Sequence, residues 1–141
     1  AMIRSAERIL EFPMIDQDPL PFWTRGKVTL LGDAAHPMYP RGSNGAGQSI
    51  LDAQCLAKFL STSSNVESAL KQYEDVRLEA TGNVVKMNRT NPPDAILREV
   101  WERTNDQPFE RIEDVISQDE LEGITQRYKN VAGYDKKSVS A

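Results

Sequence analysis

The feature that most constrains the fold of this chain is a short β-prone run that leads into a glycine-rich loop and then a helix. Residues 27–31, Lys-Val-Thr-Leu-Leu, form a β-rich and mostly apolar run bounded by glycines, which predicts a buried strand. A loop follows over residues 34–44, and Gly45, Ala46 and Gly47 open an apolar helical pattern. Glycines at a helix start let a planar ligand approach backbone N–H groups that have no partner within the helix. The order strand, loop and helix therefore predicts a ligand site.

Two later helices have recognisable start signals. Ser64 with Glu67 and Ser117 with Glu120 have the spacing of a capping box, in which each side chain bonds a free backbone N–H of the first turn. Each pair precedes apolar residues at helical spacing. We expect the first of these helices to continue to the proline pair that follows it, and the last to end at Gly133 as a C-terminal cap.

The remaining segments complete the predicted architecture. Residues 7–15 are predicted to form an edge strand, and a further short helix is expected around residues 96–101. The helix that follows the glycine-rich loop has apolar residues on more than one face, so we expect it to be buried nearly all round. The predicted fold is mainly α, with a short strand or hairpin near the N-terminus.

Composition and charge exclude several classes of function. The net charge of −4 comes without a basic stripe, so nucleic acid is not expected as a partner. One cysteine, Cys55, and one histidine, His36, provide neither a disulfide framework nor a metal site. No apolar run approaches the roughly 20 residues that cross a bilayer. We therefore expect a cytoplasmic protein without a membrane partner or a bound metal.

The stretch GDAAHPMYPRGSNGAGQ, which begins at Gly32, resembles the Gly-Asp motif of the FAD-dependent aromatic-ring hydroxylases, a family that includes p-hydroxybenzoate, salicylate and phenazine hydroxylases. In that family a buried strand precedes the sequence G-D-A-A-H, a proline, G-x-x-G and a helix. The resemblance is dense over residues 12–53, weaker to residue 91 and faint to residue 134. It implies the closing part of an FAD-binding α/β domain over residues 1–91 and a helical extension over residues 92–141.

The resemblance also implies an FAD site. By the family's motif, Asp33 binds the ribityl chain, Pro40 lies beside the oxygen-reactive face of the flavin, and the N–H groups of Ala46 and Gly47 face the pyrimidine edge of the ring. No catalytic residue is assigned. The predicted cofactor-binding residues are Gly32, Asp33, Pro40, Gly42, Gly45, Ala46 and Gly47.

The implied activity is that of a monooxygenase, in which NAD(P)H reduces FAD and oxygen is used to hydroxylate a small aromatic molecule. The chain lacks the G-x-G-x-x-G fingerprint that binds the pyrophosphate of FAD. We therefore expect a C-terminal piece of such an enzyme, acting as a homo-oligomer or together with a missing N-terminal FAD-binding portion. The alternative is a non-catalytic helical remnant or interaction module that does not bind FAD alone.

Three further residues have less specific interpretations. We expect His36 to pack within the loop or to form a hydrogen bond there, without a direct acid-base role. Asp52 lies inside the helix and is expected to be structural. Cys55 is expected to be a small core residue, since free cysteine is commonly buried.

Overall fold

The computed structural model describes residues 5–42, 44–92 and 94–133, and within these ranges the chain is built from helices. The central element is a long helix, α2, against which α1 packs on one side and α4 on another, while a short helix, α3, packs on α4. Single 3-10 turns precede α1 and α4. The helices are α1 (Asn44–Thr62), α2 (Val66–Thr90), α3 (Ala95–Thr104) and α4 (Gln118–Ala132), and the 3-10 turns are Gly32–Ala34 and Ile112–Asp114.

The predicted strand or hairpin near the N-terminus is wrong for the part of the chain that the structure describes. Residues 27–31 and residues 7–15 contain no strand, and a single antiparallel bridge joins Arg25 to Val28 across a tight turn. Leu31 does have extended backbone, with φ −147° and ψ 146°. A β-prone run becomes a strand only when a neighbouring strand pairs with its N–H and C=O groups over several residues. Among the described residues, the backbone pairing of this run is limited to the Arg25–Val28 bridge and one bond from the Leu30 N–H to the carbonyl of Trp23 at 3.3 Å. The described chain therefore contains no α/β sheet.

Two small apolar clusters form the core. In the first, Trp23, Ala35 and Tyr73 are buried, and partly buried side chains that include Cys55 pack around them. In the second, Met38 of the glycine-rich loop packs on two valines of α2, with Val131 of α4 against them. Both clusters hold the loop between the strand-like run and α1 against α2, the central helix.

The expectation that α1 is buried nearly all round is wrong. Its buried residues are the polar ones at every fourth position, Asn44, Gln48 and Asp52, whereas Ile50 is 69% exposed. Among the described elements, α2 is the helix that packs along α1, and it meets the polar face. Ile50 consequently lies on the outside, whereas Cys55, Leu56 and Phe59 are partly buried against the cluster that contains Tyr73 of α2. None of the helices in the described ranges combines the length and apolarity needed to cross a bilayer.

The helix ends agree with the predicted signals except at α2. The capping box of Ser117 and Glu120 is present, and Gly133 ends α4 with φ +73°, so both predictions are confirmed. A helix around residues 96–101 is also confirmed, as α3. The cap of α2 is Asn65, whose Oδ1 accepts from the N–H groups of Glu67 (2.8 Å) and Ser68 (3.3 Å). The capping box predicted one residue earlier, at Ser64, is therefore wrong.

The N-terminal segment is attached along α2. Arg89 near the end of α2 bonds Asp16 and Asp18, each at 2.6 Å. Two helical turns earlier, Pro19 packs so closely on Gly82 that a Cβ atom at position 82 would stand 3.3 Å from the Cβ of Pro19. Helix α2 runs through Gly82 without a break. The glycine thus allows the close approach of the proline.

The identity of the α2 cap can be tested by two alanine substitutions. Asn65→Ala removes the acceptor of two first-turn N–H groups, so we expect it to lower the free energy of unfolding by about 1 kcal/mol. Ser64→Ala is the matched control and should change it by no more than about 0.5 kcal/mol. Urea denaturation followed by circular dichroism measures both. Equal losses for the two variants would show that the cap is shared between these residues.

Candidate functional site

A buried carboxylate joins the glycine-rich loop to the two longest helices. Asp52 of α1 is fully buried. Its Oδ2 accepts from His36 Nε2 at 2.6 Å and from the backbone N–H of Gly32 at 3.2 Å, and its Oδ1 accepts from Arg77 Nε at 2.7 Å. One side chain therefore fixes the start of the loop, the middle of α1 and the middle of α2 relative to each other. The expectation that Asp52 is structural is confirmed.

The environment of Asp52 favours its charged form. Burial by itself raises the pKa of this carboxyl, but the hydrogen bonds and charges of His36 and Arg77 outweigh burial and hold the pKa below its ordinary value. Arg77 also donates to Gln48 Oε1 at 2.6 Å, and Gln48 Nε2 donates to the carbonyl of Ala132 in α4 at 2.8 Å. The buried polar network thus extends from the loop through α1 and α2 to α4.

The backbone turns sharply at Gly32. Its φ is +61°, a conformation that favours glycine, and a Cβ atom there would lie 2.9 Å from Ser49 Oγ. The carbonyl of Gly32 accepts from the N–H groups of Ala35 and His36, both at 2.9 Å. This closed turn leaves the side chain of Asp33, the next residue, exposed on its outer surface.

The far end of the loop is fixed by α4. Gly42 has φ +66°. Asn44, the first residue of α1, donates from Nδ2 to the carbonyl of Arg41 at 2.7 Å and to the hydroxyl of Tyr128, and that hydroxyl donates to Asn88 Oδ1 at 2.7 Å. Asn44 and Asn88 are fully buried. The loop is therefore held at both ends by buried polar side chains.

The structure brings three of the predicted site residues together and places the others nearby on the same loop and helix. A Cβ atom on Gly45 would stand 3.6 Å from Asp33 Oδ1, so the carboxylate lies against the first turn of α1. Ala46 in that turn is exposed, and Gly47 is half-buried. Gly32 forms the turn behind Asp33. Pro40 and Gly42 lie on the exposed outer part of the loop.

This arrangement suits a ligand with hydroxyl groups at one end and an electron-rich edge at the other. The Asp33 carboxylate accepts hydrogen bonds from hydroxyls. The first turn of α1 presents N–H groups and the positive end of the helix dipole, and its sequence, Asn-Gly-Ala-Gly, contains no acidic side chain to neutralise them. The lack of a side chain at Gly45 keeps the space between the carboxylate and the helix end open.

The hydrogen bonds that join His36 and Arg77 to Asp52 were not predicted from the sequence. The expected hydrogen bond of His36 within the loop is instead a bond to α1. The available signal was the position of Arg77, which lies one helical turn from Tyr73 and Thr81 on the buried face of α2. In the described ranges no group of three or more His, Cys, Asp or Glu side chains is arranged to hold a metal ion.

Comparison with known proteins identifies the family. A family model described as an FAD binding domain matches residues 16–88, about half of the chain. The chain belongs to this family, and its resemblance to the FAD-dependent aromatic hydroxylases is confirmed by relatives that are named as hydroxylases and monooxygenases.

Three of these relatives illustrate the similarity. The chain is 52% identical over 88 residues to a phenazine 1,6-dicarboxylic acid hydroxylase of Lysobacter antibioticus, which covers 62% of this chain and 22% of the relative. A 6-hydroxynicotinate 3-monooxygenase of Bordetella bronchiseptica is 34% identical over 110 residues, 77% of this chain and 27% of the relative. A 3-hydroxybenzoate 6-hydroxylase of Aquipseudomonas alcaligenes is 42% identical over 89 residues, 63% and 23% respectively. The chain spans about a quarter of the length of these relatives.

The residues present fit one end of the family's cofactor, FAD. The ribityl chain carries hydroxyl groups that a carboxylate such as Asp33 can accept from, and the pyrimidine edge of the flavin carries the electron-rich atoms that the α1 N-terminus favours. The open space at Gly45 lies between these two groups. The adenosine and pyrophosphate end has no corresponding glycine fingerprint in this sequence.

The buried charge pair makes a prediction for stability. Asp52→Asn leaves Arg77 buried without a countercharge, so we expect a loss of about 3–5 kcal/mol in the free energy of unfolding. The double variant Asp52→Asn/Arg77→Gln should recover part of that loss, because the unpaired charge is removed. Asp75→Asn, an exposed aspartate on α2, is the control and should stay within about 0.5 kcal/mol of the unmodified chain. A double variant no more stable than Asp52→Asn would contradict this account.

The lowered pKa of Asp52 makes a second prediction, for acid stability. Because the folded-state pKa lies below the ordinary value of 3.8, the carboxylate contributes its full stabilisation above that value and loses it as the pH falls through the folded-state pKa. Urea denaturation from neutral pH to about pH 2 should show the difference between the unmodified chain and Asp52→Asn constant above about pH 5 and shrinking below pH 4. A difference that does not change with pH would show that Asp52 is not the titrating group.

Proposed function

We propose that this chain forms the isoalloxazine end of the FAD site in a monooxygenase that uses NAD(P)H and oxygen to hydroxylate a small aromatic molecule. The observation that carries the proposal is the position of Asp33 against Gly45 at the start of α1, because this joins the hydroxyl acceptor and the helix N-terminus in one site. The named activities of the relatives support the reaction class, since they act on phenazine, hydroxynicotinate and hydroxybenzoate compounds.

Each predicted residue has a role in this proposal. Asp33 accepts hydrogen bonds from the ribityl hydroxyls, the N–H groups of Ala46 and Gly47 face the pyrimidine edge, and Pro40 lies beside the reacting face of the ring, where its apolar ring excludes water. Gly32, Gly42 and Gly45 provide the backbone turns and the open space that these contacts require. FAD, when bound, supplies the redox chemistry.

The N-terminus of α1 would stabilise the negative charge of reduced flavin. Reduced flavin carries negative charge at its pyrimidine end, and a helix N-terminus stabilises an adjacent anion by about 0.3–1 kcal/mol, or up to about 2 kcal/mol when partly buried. In α1 this field is not cancelled by an acidic residue in the first turn. The buried Asp52 carboxylate lies two helical turns further along α1, where its charge is paired with Arg77. The negative charge beside this helix end is therefore that of Asp33, which lies against Gly45.

The exposed apolar surface supports a proposal about partners. Val28 and Ile50 are both 69% exposed, and Leu31 has extended backbone without a strand beside it in the described ranges. We propose that this surface is covered by a second copy of the chain or by a polypeptide that carries the FAD fingerprint absent here. A cytoplasmic location fits the need for NAD(P)H and the free thiol of Cys55.

A second function is that of a helical interaction module that does not bind FAD by itself. The observation in its favour is that the buried network around Asp52 and Arg77 holds the helices together without a ligand. A flavin bound only at its ring end would also lack the contacts that anchor its adenosine and pyrophosphate groups. The same experiment distinguishes the two functions.

The test is a titration of the chain with FAD, followed by flavin fluorescence and by thermal stability. Saturable binding should raise the melting temperature by mass action, and Asp33→Ala should weaken binding about tenfold or more, because a hydrogen bond to a charged group is lost. Asp114→Ala, an exposed aspartate far along the chain, should bind like the unmodified protein. Absence of binding at millimolar FAD would favour the interaction module.

A further inference from the structure

The last turns of α4 reach the residues that begin α1. The hydroxyl of Tyr128 accepts from Asn44 Nδ2, and the carbonyl of Ala132, one turn later, accepts from Gln48 Nε2 at 2.8 Å. Val131 packs with the loop residue Met38 in the second apolar cluster. All three contacts come from α4, which lies outside the residues 16–88 that the family model matches.

We propose that Tyr128 is a positioning residue for the flavin-facing end of α1. Its hydroxyl fixes the side chain of Asn44, and Asn44 in turn fixes the carbonyl of Arg41, so the backbone that enters the helix has one direction. That direction sets where the N–H groups of the next residues, Gly45 and Ala46, point. The inference rests on the proposed FAD site, because it concerns how that site is oriented.

The hydroxyl group, rather than the aromatic ring, carries this role. Tyr128 is buried, and its oxygen both accepts from Asn44 and donates to Asn88 Oδ1 at 2.7 Å. Asn88 is a fully buried residue of α2, which is itself fixed to α1 by Arg77. The hydroxyl therefore links α2 to Asn44, the first residue of α1, through two hydrogen bonds. A phenylalanine keeps the aromatic ring and removes the bonds of the hydroxyl to Asn44 and Asn88.

Coupling between α4 and the ligand follows from these contacts. If a docked α4 holds the first turn of α1 in the form that binds FAD, then FAD must by the same free energy favour the docked α4. A ligand bound at Asp33 and the α1 N-terminus should thus slow amide exchange in α4, although no residue of α4 belongs to the predicted flavin site.

The experiment compares Tyr128→Phe with the unmodified chain by hydrogen exchange and by FAD titration. In an α-helix the N–H groups of Gln48 and Ser49 bond the carbonyls of Asn44 and Gly45, so their exchange reports opening of the first turn. We expect Tyr128→Phe to accelerate these two amides about fivefold or more, because the two buried hydrogen bonds of the hydroxyl are lost, and to weaken FAD binding by a similar factor.

The control variant is Ser117→Ala, which removes the cap of α4 and loosens that helix while leaving the Tyr128 hydroxyl in place. The two variants are compared at an equal loss of melting temperature. If Ser117→Ala then accelerates amide exchange at Gln48 and Ser49 as much as Tyr128→Phe does, Tyr128 contributes only packing and the proposal is overturned. Unchanged exchange in Tyr128→Phe also overturns it. Accelerated exchange in a chain that binds no FAD would support the positioning of α1 and refute the proposed flavin site, so the two failures are distinguishable.

Discussion

The ion pair between Asp52 and Arg77 is the interaction on which the rest of the structure depends. Removing two charges from water costs several kcal/mol per ion, and the penalty is offset only when geometry and additional hydrogen bonds are favourable. Here the carboxylate receives three donors, from His36, Arg77 and the backbone of Gly32. Because two donors come from the loop and one from α2, while the carboxylate belongs to α1, the three segments are held in one relative position as long as the charge remains satisfied. The network specifies the arrangement of the loop and helices rather than merely adding to their stability.

The buried polar face of α1 follows from that network. Side chains at every fourth position turn inward because the guanidinium of Arg77 and the amide of Asn88 lie on the facing side of α2. Ile50 is then left on the outside. The partner proposed above would cover this exposed side of α1. The proposed ligand site lies at the N-terminus of the same helix.

Local signals in the sequence predicted most of the helix ends, because the physics of a helix cap involves only a few neighbouring residues. The cap at Ser117 and the left-handed Gly133 are of this kind. The cap of α2 was displaced by one residue, from Ser64 to Asn65, since adjacent polar residues compete for the same N–H groups. The prediction of a strand over residues 27–31 was wrong, because a strand forms only when a second strand, often distant in the sequence, pairs with it. The prediction that α1 is buried nearly all round was wrong for a related reason. The ion pair that defines the inner face of α1 joins residues far apart in the chain, and the periodicity of apolar residues does not report it.

The contact between Gly82 and Pro19 has a consequence for anyone who redesigns this protein. Replacing a glycine inside a helix by alanine normally raises helix stability by about 1 kcal/mol, so stability-guided methods based on helix propensity would select position 82 early. A methyl group there would push against the proline ring and displace the N-terminal segment that Arg89 also holds. The gain along α2 would be opposed by the loss of a tertiary contact. At position 82, helix propensity therefore favours alanine, whereas the contact with Pro19 favours glycine.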